Sequence, residues 1–162
     1  MSEVANSLNK NIQVTTDSPE ANPDGRMPVL DLKIWVSHNQ GIPQVSHTFY
    51  RKPVSSPFTI LKRSAVAESV KKSTIFQEGL RRLLHISPDQ PWSESVRHLN
   101  EYSNCLRISG YSEAERYQTI RGAVMRYKEM LRKVESGELS SLNRGKAEIK
   151  ERKIQKGRAN GR

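Results

Sequence analysis

The chain holds one cysteine in 162 residues, Cys105, which excludes an internal disulfide and any thiolate metal site built by one copy. Aromatic residues make up 6 % and apolar residues 35 %, too few to cover the whole length with a core. No hydrophobic run approaches the roughly 20 residues needed to cross a bilayer. The N-terminus lacks the apolar stretch of a secretory signal, so an intracellular setting without a membrane partner is expected. There is no glycine-rich phosphate loop, no HExxH and no Cys/His set at zinc spacing. His38, His47, His85 and His98 are scattered, and read as turn, strand and helix-surface residues. Two-metal phosphoryl chemistry needs at least two converging carboxylates. Asp31 is the only one in the first strand run, and reads as a strand-edge or turn-pairing residue. The expectation is therefore no metal, no cofactor and no catalytic residue.

What is present is positive charge. The chain carries 27 Lys and Arg against 17 Asp and Glu, a net +10. Its last nineteen residues hold eight cations, among them Lys150, Arg152 and Lys153, against Glu148 and Glu151 alone. A polyanion is the natural partner, because each phosphate neutralised releases condensed counterions. A basic tail also serves as a nuclear address, so a nuclear location is expected.

The pattern divides the chain into a tail (1–26), a β-hairpin with its connector (27–57), a helical region (58–137) and a basic tail (138–162). Both tails are poor in apolar residues and read as disordered. In the second segment, Val29 to Val36 reads as one strand and Val45 to Tyr50 as another, joined by a loose loop over Ser37 to Pro43. A two-stranded ribbon is marginal alone in water, so the reading rests it on the helices. Phe58 to Arg63 is either a third strand or an extended lead. A first helix is expected from Ala65 to His85, capped by Ser64, with Val66, Val70, Phe76, Leu80, Leu83 and Leu84 as its apolar stripe and an interruption near Ser73 or Gly79. A second starts after Ser93 and closes at Gly110; Cys105 lies in its apolar pattern as a small core residue. The third opens with Ser112-Glu-Ala-Glu115, a capping box, and carries Tyr117, Ile120, Val124, Tyr127 and Leu131 to an end at Gly137. The expected fold is α+β, a hairpin packed on about three helices. Only Ser109 to Ser112 separates the last two helices, a link that suits a helix-turn-helix corner.

Tyr50-Arg51-Lys52, an aromatic beside two cations at a strand end, suits a nucleic-acid backbone or a stacked base, or equally an aromatic packed inward with solvated charges beyond it. Val29-Leu-Asp-Leu-Lys-Ile34, followed by Phe49-Tyr-Arg-Lys-Pro53, resembles the segment that closes the palm of Penelope-like retroelement reverse transcriptases. The later Arg81-Arg82 pair and the Gly110-Tyr111 pair are similar to that family's helix-turn-helix-like thumb. Val29 stands where the family usually has Phe, and Ser64-Ala65-Val66 replaces a Ser-His-Pro. The family's Tyr-x-Asp-Asp turn and the GIY-YIG endonuclease of many relatives have no counterpart in this sequence.

The resemblance implies a palm ribbon and thumb without the polymerase active site. Such a piece grips a primer-template duplex, RNA or DNA, through its phosphates and is not an enzyme by itself. It carries the ribbon role onto Tyr50, Arg51 and Lys52; Arg81, Arg82, Arg116, Arg126 and Lys128 are the expected phosphate contacts on the helices. Two other readings stand beside it. One is a small helix-turn-helix DNA-binding regulator derived from such an element. The other is an interaction module that docks onto a missing palm or another subunit.

Overall fold

In the computed structural model residues 18–138 are described, and they form an α+β fold of three antiparallel strands and three helices. The two expected tails, apart from residues 18–26 and 138, lie outside the described residues, and so do Lys150, Arg152 and Lys153. The chain divides into two units, 1–52 and 53–162.

The first unit is a sheet in the order β1 (Met27–Val29), β2 (Leu32–Asn39), β3 (Ile42–Phe49). The expected single strand from Val29 to Val36 is broken. Leu30 takes φ 55 and turns the chain with Asp31, so Val29 comes to lie opposite Leu32. The turn carbonyl of Asp31 accepts the Tyr50 N–H at 2.8 Å, which ties the residue after β3 to the turn between β1 and β2. The loop expected over Ser37 to Pro43 is also tighter than its composition suggests. Gln40 and Gly41 have φ 50 and 81, the paired positive values of a two-residue turn whose twist matches the strands. Asn39 and Ile42 then close the ladder, which makes His38–Pro43 a non-bonded pair. The Pro43 nitrogen thereby faces away from β2, where no ladder hydrogen bond is lost. Residues 18–26 belong to this unit and not to a tail. A 3-10 turn covers Pro19–Ala21, Arg26 lies 4.1 Å over the Trp35 ring, and Asp24 is paired with Lys33.

The second unit contains α1 (Glu68–Leu84), α2 (Trp92–Ile108) and α3 (Glu113–Glu135). Helix α1 starts later than expected and has no side-chain cap. Lys71 instead fastens the segment before the helix: its buried ammonium donates to the carbonyls of Lys62 and Ser64 at 2.8 and 3.1 Å and pairs with Glu68. Val66 and Val70 therefore fall outside the core, and α1 runs without interruption through Gly79. Residues 58–63 form no strand. They are a lead held to the α2–α3 corner, with Thr59 N–H on Ser109 Oγ and Lys62 N–H on Ser109 O, both 3.0 Å.

That corner follows from its residues. Tyr111 N–H returns to the Leu106 carbonyl and Gly110 N–H to that of Arg107, the paired bonds of a Schellman end. The motif needs a left-handed residue, and Gly110 supplies it with φ 92. Tyr111 and Leu106 then share a cluster with Ile75, Tyr102 and Cys105, as expected for the cysteine. The other cluster joins Leu80, Leu83 and Leu84 to Leu99, Ala123, Tyr127 and Met130. Leu83 and Leu106 are fully buried, each contributing about 2 kcal/mol by transfer from water. Helices α1 and α3 approach closely at small residues: a Cβ at Gly79 would stand 3.3 Å from that of Ala123. Because the buried stripe of α3 centres on Ala123, Tyr127 and Met130, Tyr117 is rotated out into solvent.

Candidate nucleic-acid interface

Whether a helical cation meets solvent is decided by the residues three and four positions away. In α1, Glu78 stands three residues before Arg81 and four before Arg82, and its carboxylate takes both guanidinium groups at 2.8 and 3.0 Å. Arg82 is 4 % exposed, with its guanidinium 4.6 Å above the Tyr102 ring. A phosphate cannot reach it without opening the helix pair. The expectation that Arg82 is a phosphate contact is therefore corrected: it is a buried structural cation. Arg81 is half-buried on the same carboxylate.

Helix α3 separates its cations into two sets. Glu129 accepts Arg126 at 2.6 Å and Lys133 at 3.2 Å. Its carboxyl is held below the ordinary range by these two hydrogen bonds, that of Arg126 first. Arg116 is half-buried and donates to Ser103 Oγ at 3.0 Å. The remaining set is Arg121, Lys128 and Arg132, all exposed and in no ion pair among the described residues. At positions seven and eleven residues beyond Arg121, Lys128 and Arg132 fall on one stripe of the helix. Tyr117 and Met125, 64 and 60 % exposed, lie along it. Of the carboxylates of α3, only Glu129 and Glu135 lie one turn from a member of this set, three residues before and after Arg132. Glu115 is bound to Lys62 at 2.7 Å, Glu129 is taken, and Glu113 and Glu135 stand at the two ends.

Lys128 also lies 5.7 Å over the ring of Trp92, the first residue of α2. Trp92 is 45 % exposed, and it stacks on the buried Tyr127 with ring centroids 6.4 Å apart and planes at 22°. The face thus combines three solvated cations, two exposed aromatics and no paired acid. It can hold phosphates by charge and offers a flat ring beside them.

The other expected cluster belongs to the first unit. Tyr50 is half-buried with the Lys33 ammonium 5.4 Å over its ring, Arg51 is half-buried, and Lys52 is exposed. Helix residue His98 departs from the surface position expected of it. It is buried against Glu94 at 3.2 Å, and burial pushes its imidazole toward the neutral form. Among the described residues no group of His, Cys, Asp and Glu is arranged to hold a metal ion.

Of the sites expected from the sequence, Lys128 lies in the exposed face and Arg126, Arg116 and Arg81 have intramolecular partners. Arg121, Arg132 and Trp92 were not among those expectations. A signal for two of the cations was present: neither Arg121 nor Lys128 has a carboxylate three or four residues away on either side. No family model matches the chain, and the searches of curated proteins and of solved structures found no match to it.

Proposed function

We propose that the chain is a non-catalytic nucleic-acid-binding piece of a retroelement reverse transcriptase, a thumb region that grips primer-template through phosphates. The observation that carries the binding is the unpaired stripe Arg121, Lys128 and Arg132 on α3. Helix α3 is anchored by the capping box at Ser112 and by Tyr127 and Met130 in the core, so its cations are held on a rigid element. Such pre-set charges bind phosphate without sequence preference. The reverse-transcriptase part rests on the resemblance at Val29 to Ile34 and Phe49 to Pro53. It adds Tyr50, Arg51 and Lys52 as the ribbon's contacts, while the charge of the basic tail adds Lys150, Arg152 and Lys153.

Fluorescence polarisation with a labelled primer-template duplex tests the binding. Three phosphate contacts predict that affinity falls about 40-fold between 50 and 200 mM salt, and further cations steepen this. A flat salt response would remove the reading. The purified chain is expected to extend no primer; incorporation of nucleotide after exclusion of contaminating polymerase would contradict the non-catalytic part. If substitution of Arg121 changed the preference between DNA sequences instead of weakening all alike, the helix-turn-helix regulator would be the better account.

A second reading is favoured by the sheet. Strand β1 ends opposite Ile34, so the ladder groups of Val36 and His38 on that side of β2 meet no strand of the described residues. Val36 and its cross-strand neighbour Val45 are 63 and 70 % exposed. An open edge beside apolar residues suits docking onto a missing palm or another subunit. Self-association of the isolated chain, abolished by Val36→Lys, would favour it; a monomer at all concentrations in sedimentation would not.

A further inference from the structure

Resting on the nucleic-acid reading above, we infer that Trp92 is a stacking platform for one unpaired base, and that the strand this face takes is single-stranded, such as the template overhang of a primer-template junction. The indole is nearly half exposed although it begins a helix whose other large aromatic, Tyr102, is fully buried. Its position is fixed from two sides. Pro91 sets the backbone before it, with φ −64, and the buried Tyr127 supports the ring. A ring held this way loses little conformational freedom when a base is laid on it, which favours stacking.

The charges around it match a strand and not an isolated base. Lys128 hovers over the ring, and Arg132 follows one helical turn further along α3, about 6 Å away along the axis. A base on Trp92 displaces the Lys128 ammonium from the ring. The exposed cation–π contact that is lost is the weaker interaction, while base stacking and a phosphate contact are both gained. The balance therefore favours the nucleotide. A continuous duplex cannot use the indole, because its bases are already stacked on one another; it would engage only Arg121, Lys128 and Arg132.

The full chain carrying Trp35→Phe leaves Trp92 as the one tryptophan, so its fluorescence reports this ring alone. Titration with a twenty-residue oligothymidylate, a blunt duplex of the same length and a duplex with a thymidine overhang, each also followed by polarisation of a labelled strand, separates the outcomes. The expected result is quenching in step with binding for the single strand and the overhang, and none for the blunt duplex. Trp92→Ala should lower single-strand affinity about 10-fold and blunt-duplex affinity less than 2-fold. Trp92→Leu, which keeps an apolar cover on Tyr127, should do the same, so that loss of folding in the alanine variant cannot imitate the effect. Single-strand binding with unchanged fluorescence and undiminished affinity in Trp92→Leu would overturn the platform while leaving the binding reading intact. Failure of all three polymers to bind would overturn both.

Discussion

Helices α1 and α3 both carry adjacent or near-adjacent arginines and lysines, yet the two helices use them in opposite ways. In α1, one carboxylate, Glu78, draws Arg81 and Arg82 inward, and the second of these is buried over the Tyr102 ring. In α3, Glu129 engages Arg126 and Lys133 on one side and leaves Arg121, Lys128 and Arg132 to solvent on another. The difference teaches that positive charge along a helix is no measure of its capacity for a polyanion. What counts is whether a carboxylate one turn away takes the cation, as Glu78 does for Arg81 and Arg82 while Glu129 takes Arg126 and Lys133 instead of Arg132, and which side of the helix the core occupies.

The comparison is broken most forcefully at Arg82. Arg82→Ala removes a buried cation and leaves Glu78 with Arg81 only, so unfolding free energy in urea should fall by about 3 kcal/mol. The salt dependence of nucleic-acid binding by the folded fraction should stay as it was. A variant of unchanged stability would mean that Arg82 is not the structural cation described here.

A smaller effect is expected where α3 begins. Ser112 Oγ accepts the Glu115 N–H, and the Glu115 carboxylate in turn accepts the Ser112 N–H at 2.9 Å. Ser112→Ala should cost about 1 kcal/mol of stability without changing the charge of the face. Glu115 also makes this region acid-sensitive. The Lys62 hydrogen bond, and then those of Ser112, hold its carboxyl down to about 2 from an ordinary 4.5. A depressed carboxylate contributes stability that is complete above its unfolded value and declines as pH falls through the folded one. Thermal scans should therefore show a loss between about pH 5 and pH 2 that is reduced in Glu115→Gln; an identical acid profile in the two proteins would contradict the pairing.

The least effect is expected from the paired side of α3. Arg126→Ala, which removes an ion pair open to solvent, should change stability by at most about 0.5 kcal/mol. It should alter affinity for single-stranded or duplex DNA less than 2-fold, whereas Lys128→Ala should weaken both. Equal losses from the two substitutions would erase the distinction between the sides of the helix.

Local chemistry was the legible part of this sequence. The capping box at Ser112, the Gly110 end of α2 and the buried Cys105 depend on residues a few positions apart, and each is found where the pattern puts it. The break at Leu30 was not legible, because a leucine with φ 55 carries no turn signal and the apolar run across it looks continuous. Val66 and Val70 misled for a related reason. Apolar spacing defines a stripe but not where the helix begins, and residues before Glu68 are a lead fastened by the Lys71 ammonium, not a first turn. At the candidate site, sequence distinguishes cations near a carboxylate from those without one. It does not show that Arg82 turns inward, since that depends on Tyr102 arriving from another helix. Nor does it show that Trp92 stays half in solvent, which follows from Tyr127 filling the space behind it.

The most direct test of the central claim is the slope of log K against log salt for primer-template binding, compared between the native chain and the Arg121→Ala, Lys128→Ala, Arg132→Ala triple variant. The account predicts that the variant, folded and of near-native stability, loses about 2 to 3 units of slope, close to one for each cation removed. An unchanged slope in a folded triple variant would show that the exposed face of α3 does not touch the polynucleotide.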